Sequence, residues 1–144
     1  MYIGLMHLHS TLRWLILVIA VIVIVKYFIG WLGNKKWQKQ DTILSVIFTS
    51  LFDLQLLTGL VLYLFVSPIT QAAFADFGAA MKNSDLRFYA VEHFSIMLAA
   101  IVLVHIGRAK SKKAKTDQLK FKKAAIFFAI ALALVLSGIP WSKL

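Results

Sequence analysis

The sequence predicts an all-α integral membrane protein, a four-helix bundle with both chain termini on the outer side. Three observations predict it. Of the 144 residues, 60% are hydrophobic and only 15% are charged, whereas soluble domains run near half apolar and about a quarter charged. Four apolar runs are each long enough to cross a hydrocarbon core, which takes roughly 20 helical residues. The positive charge is gathered between those runs. A soluble fold of this length could not hide so much apolar surface, because small domains leave a large share of their atoms in water.

The first run, residues 5–32, is too long for a cleaved leader. It also lacks a basic start and a small-residue cleavage site, so it reads as a retained helix. The connection at 33–41 is short and basic, with Lys35, Lys36 and Lys39. The second run covers 42–66. The next connection, 67–86, carries only Asp76, Lys82 and Asp85; with Pro68, Gly78 and several alanines it reads as a loop holding a short surface helix. The third run covers 87–107. After it, residues 108–123 set eight Lys or Arg against the single acid Asp117. The fourth run, 124–141, is rich in alanines, which let membrane helices pack closely.

Helices are expected because a spanning segment must satisfy its own backbone hydrogen bonds, and the period-2 alternation of a membrane barrel is absent. Excess Lys and Arg mark cytoplasmic loops, which puts 33–41 and 108–123 inside and both termini outside. The arrangement expected is one bundle over residues 1–144. The net charge of +10 is thereby a feature of topology, with no accessible face left for nucleic acid. The absence of cysteine removes disulfides, thiolate metal sites and thiol catalysis. No Ser-His-Asp set, glycine-rich phosphate loop or carboxylate pair points to soluble enzymology.

Polar residues inside spans are costly and therefore informative. The first helix opens with His7, His9 and Arg13; the second carries Asp53 and Gln55; the third carries Glu92, His93 and His105. Helices one and three enter from the same side, so His9 and His93 fall at a similar depth, roughly 10 Å below the outer surface. Gly59 and Gly138 belong to the same layer. Two histidines at one depth, with glycines where a flat macrocycle needs room, suggest one haem b with His9 and His93 as axial metal ligands. Arg13, one turn below His9, is placed to pair with a propionate. The plainer readings stay open: His9 as an interfacial residue, His7 as a solvated group or substitute ligand, Arg13 as a snorkelling side chain, and the glycines as packing positions.

His105 is rotated about 120° from His93 and lies about 18 Å further along the helix, which argues against a second haem. It reads as a hydrogen-bonded inner residue or as a group for proton transfer or quinone contact. Asp53 needs neutralisation or a partner, and Lys26 is a candidate. Glu92 either orients a neighbour or faces outer water.

The stretch from His7 to Trp14, together with Glu92, His93 and Met97 and the His105–Gly107–Arg108 ending, resembles a group of small bacterial four-helix membrane proteins commonly labelled cytochrome b. The resemblance covers helices one and three. It implies haem binding by His9 and His93, with Arg13 beside them, and electron transfer in the bacterial inner membrane. The leading expectation is thus a b-type cytochrome-like protein exchanging electrons near the outer face with quinol or a partner protein. A stand-alone enzyme is the weaker expectation. The alternatives are an accessory subunit that packs in a larger membrane complex or as a homo-oligomer, and a proton or ion conductor using Asp53, His105 and Lys26.

Overall fold

The computed structural model describes all residues, Met1–Leu144, and the chain is helical throughout, without a strand. Helix α1 spans Tyr2–Leu32. Helix α2 spans Lys39–Val61 and runs on through a π-helical turn at Leu62–Val66. Three short helices follow: α3 at Pro68–Ala75, α4 at Phe77–Ala80 and α5 at Ser84–Arg87. A second π-helical turn, Phe88–Glu92, leads into α6 at His93–Lys113. Helix α7 spans Asp117–Gly138, and a 3₁₀ turn at Trp141–Lys143 ends the chain. Tyr2–Leu32, Lys39–Val66 and Ser84–Lys113 are long and apolar enough to cross a membrane.

Two segments differ from the sequence expectation. The basic stretch expected as a connection is nearly all helix, since α6 continues to Lys113 and α7 begins at Asp117. Lysine is a good helix former, and Lys110, Lys112 and Lys113 complement the dipole at the end of α6. The turn needs only Ala114, Lys115 and Thr116, whose hydroxyl accepts the Leu119 N–H at 3.1 Å to start α7. The stretch at 67–86 folds into three short helices where one was expected. Ser67 and Pro68 start α3, and Asn83 accepts the N–H groups of Asp85 and Leu86 to start α5.

Helix α1 packs against α2 and α7, and α6 packs against the same two, so α1 and α6 stand on one diagonal of the four long helices. The sealed core joins Ile16, Ala20, Val23 and Tyr27 of α1 to Phe48 and Phe52 of α2, Ala100 and Val104 of α6, and Phe121, Ala124, Phe128 and Ala131 of α7. Small residues allow the approach. Gly107 has no room for a side chain beside Phe127, and Ala124, Ala125 and Ala131 are fully buried.

The turn between α1 and α2 is held by Asp41. Its carboxylate takes the Lys26 ammonium at 2.5 Å and the Gln38 N–H at 2.8 Å, and its carbonyl accepts the hydroxyl of fully buried Tyr27. The sequence offered Lys26 to Asp53; the structure gives it to Asp41. The two acids are twelve residues apart on α2, about 18 Å of helix, and only Asp41 lies at the lysine's level.

Replacing Asp41 by alanine removes the α2 capping box and leaves the part-buried Gln38 N–H without its acceptor, while half-exposed Lys26 keeps its access to water. The expected cost is about 2 kcal/mol, read as a lower thermal unfolding midpoint in detergent; an unchanged midpoint would contradict this role.

Candidate functional site

The sealed core stops short of the N-terminal ends of α1 and α6. It reaches Ile16 on α1 and Ala100 on α6, whereas His9, Arg13, Gly59, His93, Ile96 and Met97 beyond it are only half-buried. In this layer the two histidines meet across the diagonal. The ring centres of His9 and His93 are 6.4 Å apart, and their planes are inclined by 69°.

Each imidazole is oriented through Nδ1. The Thr58 hydroxyl donates to the Gln55 carbonyl at 3.0 Å, so its oxygen is left to accept the Nδ1–H of His9 at 3.4 Å. The Nδ1–H of His93 donates to the Gly138 carbonyl at 2.7 Å. Both rings therefore carry their proton on Nδ1 and present a lone pair on Nε2. Gln55 adds a further hold, its amide donating to the His9 carbonyl at 3.0 Å.

Two π-helical turns set up this layer. Such turns insert a residue and free carbonyls from the helical ladder. Here the carbonyls find side chains: Tyr63 donates to Ala90 at 2.5 Å, and Thr70 donates to Tyr63 at 2.8 Å. Tyr63 also stacks on Phe94 with ring centres 4.5 Å apart. The Phe88–Glu92 turn directly precedes His93 and so fixes the direction in which its ring leaves α6. Phe88 and Tyr89 flank that ring at 5.8 and 6.3 Å between centres.

The polar balance of the layer is incomplete. Across the whole chain, the buried side-chain nitrogens and oxygens without a partner are Arg13 Nε and Gln55 Oε1. Both belong to residues beside His9. The Arg13 guanidinium lies over the Trp14 ring at 5.2 Å, and Trp14 meets Trp141 edge-on. The glycines crowd the same layer. A Cβ on Gly59 would come to 3.2 Å from His9 Cε1, and one on Gly138 to 2.9 Å from Ile96 and 3.0 Å from Met97.

The remaining expected residues lie elsewhere. His7 is exposed on α1, outside the pair. Glu92 accepts from Arg87 at 2.9 Å, with both side chains over 40% exposed. Asp53 and His105 bond to each other at 2.6 Å on the flank of α2 and α6. Tyr89 shares the face of His93 by helical spacing, whereas Thr58 and Phe88 are not among the residues expected from sequence. Thr58 had a signal, a hydroxyl inside an apolar span; the Gly138 carbonyl had none, because a backbone acceptor leaves no mark on composition.

No group of three or more His, Cys, Asp or Glu side chains is placed to hold a metal ion. Comparison with protein-family models, curated proteins and solved structures gives no match.

The hydrogen bonding makes a direct prediction. Nitrogen-15 imidazole spectra of the protein without added metal should show His9 and His93 as Nδ1–H tautomers. Detection of either ring as the Nε2–H tautomer would contradict the assigned bonds.

Proposed function

We propose that the chain is a b-type cytochrome-like membrane protein that binds one haem b between α1 and α6 and transfers electrons near the outer membrane face. In this reading α7 is the fourth span, the bundle sits in a bacterial inner membrane, and the basic ends of α6 and α7 face the cytoplasm with the α1–α2 turn. Both termini are then outside.

The observation that carries the reading is the histidine pair. Two imidazoles bound to opposite sides of one metal, with metal–nitrogen bonds of about 2.0 Å, have ring centres roughly 6.3 Å apart. His9 and His93 stand at 6.4 Å, with each Nδ1 already committed to an oxygen. Such second contacts fix the tautomer and make the ligand nitrogen more basic. Two side chains alone make a poor metal site, and a macrocycle that supplies the equatorial ligands resolves that shortage.

The donor set fits the group in other respects. The two histidines would hold the group from diagonal helices, with α2 and α7 closing the flanks. Arg13 would hold a propionate, which gives its buried, unpartnered Nε the charged acceptor that the protein does not supply. When bound, the haem supplies one-electron transfer. The chain's residues supply the rest: Thr58 and Gly138 orient the ligands, and Phe88, Tyr89 and the Trp14–Trp141 contact limit access from outer water.

The conducting alternative draws no support from the geometry, because Lys26 is taken by Asp41 whereas Asp53 and His105 form a separate pair.

Protein purified in mild detergent should give a reduced-minus-oxidised difference band of a b-type haem. His9→Ala and His93→Ala should each abolish it while leaving membrane insertion intact. Thr58→Val should weaken haem retention about tenfold, the lower end of the range for second contacts to a ligand histidine. Wild-type protein expressed with ample haem that shows no such band would remove the proposal.

A further inference from the structure

One costly feature takes no part in the histidine site. Asp53 is near the midpoint of the Lys39–Val66 span, and its carboxylate bonds His105 Nε2 at 2.6 Å. The pair is not buried: the side chains are 53% and 42% exposed. On the membrane reading given above, on which this inference rests, that exposure is to hydrocarbon. Ionisable groups within spans almost always face protein or a polar cavity and pair with other groups.

The pair is also only half satisfied. His105 Nε2 and Asp53 Oδ1 are used, while His105 Nδ1 and Asp53 Oδ2 bond nothing within the chain. An Asp–His pair of no net charge, the form least costly against hydrocarbon, carries one proton in the shared bond and one on Nδ1, and leaves Oδ2 as an acceptor. One donor and one acceptor thus remain on the same exposed pair.

The surroundings form a matching face. Val46, Ser50, Asp53 and Leu57 follow one another at spacings of four, three and four on α2, and all are exposed. Leu98, Val102, His105 and Ala109 repeat the spacings on α6. Such spacing draws each set into one stripe, and the hydrogen bond sets the two stripes side by side. The face is apolar at both ends, polar at its centre and modest in side-chain size, so another helix pair can approach it closely.

We infer that this face is the interface of a homodimer in which two Asp53–His105 pairs join into a four-membered ring. Copies of one membrane protein insert with the same orientation, so a two-fold axis relating them runs along the membrane normal. Every residue then meets residues of its own depth. Asp53 and His105 share one depth, so in the dimer the free Nδ1–H of each imidazole donates to the free Oδ2 of the partner's Asp53. A ring of two such neutral pairs carries no net charge. This complementarity selects a second copy: the same flank presents both the missing donor and the missing acceptor.

The absence of native cysteine makes the test clean. Single-cysteine variants Ser50→Cys and Leu57→Cys are oxidised in native membranes, with Val21→Cys on exposed α1 as the reference. Ser50→Cys and Leu57→Cys are expected to give a disulfide-linked dimer that Val21→Cys does not. Adding Asp53→Leu and His105→Leu together should lower the Leu57→Cys cross-link at least fivefold, with the protein still resistant to alkaline extraction from the membrane. The wild type should migrate as a dimer in mild detergent.

Three results would overturn the inference: a wild-type monomer with no cross-link at either position, a cross-link that survives the double substitution, or a cross-link from this face to a different polypeptide. Alkaline extraction that releases the wild-type protein would instead remove the membrane reading beneath it. Loss of the haem band with the dimer intact would remove the cofactor proposal alone.

Discussion

A polar group inside a membrane has no water to fall back on. An unsatisfied backbone group there costs several kcal/mol, and a charged side chain at the centre of a span costs about 2.5–3.5 kcal/mol even by the most lenient scale. In a chain with three helices long and apolar enough to cross a membrane, this constraint bears on the polar contacts within and beside those helices. The carbonyls freed by the π-helical turns are taken up by Tyr63 and Thr70. Thr49 returns its hydroxyl to the Ser45 carbonyl one turn back. Ser111 donates to the Lys120 carbonyl across the α6–α7 turn. Lys26 is answered by Asp41, and Asp53 by His105. Packing between helices then rests on small residues, because apolar side chains gain little from leaving lipid for protein.

This dependence explains which features can be read from the sequence. A run of twenty apolar residues leaves a helix as the form consistent with lipid, so the long helices are legible in outline. Their ends are less so. Lysines are compatible with both a cytoplasmic loop and a helix end, and the residues after Arg108 chose the helix, capped by Thr116. The shared layer of His9 and His93 is legible because topology and helical rise place two residues in depth without any coordinates. Rotation and pairing are not. Asp53 could be assigned a cost from sequence, but its partner depended on which flank of α6 lies beside α2. The acceptors that orient the histidines are harder still, one a threonine among many polar candidates and the other a main-chain carbonyl. The insertion of a π-helical turn before His93 leaves no recognisable periodic signature in five residues.

The diagonal placement of α1 and α6 has a consequence for chemistry. Neighbouring helices bring side chains together at their common edge, where two imidazoles meet side by side. Helices on a diagonal direct them toward one another through the bundle axis, with two further helices closing the flanks. The haem proposal requires the second arrangement. The layer is closely packed, since a Cβ on Gly59 would meet His9 and one on Gly138 would meet Ile96 and Met97.

The polar groups along the bundle fall into levels, and the levels differ in what they leave unanswered. At the α1–α2 turn, Asp41 has a partner for each carboxylate oxygen and for its carbonyl. Near the middle, Asp53 and His105 satisfy half of one another and turn the other half outward. In the layer of His9 and His93, the two Nε2 atoms, a buried guanidinium nitrogen and a buried amide oxygen have no partner. A bundle selected only for packing would have no reason to keep donors and acceptors unpaired where water is excluded, because replacing them with apolar groups would be less costly. The haem proposal draws on the unpaired groups between α1 and α6, and the dimer proposal on those of the exposed Asp53–His105 pair. The two rest on different groups, and each can fail without the other.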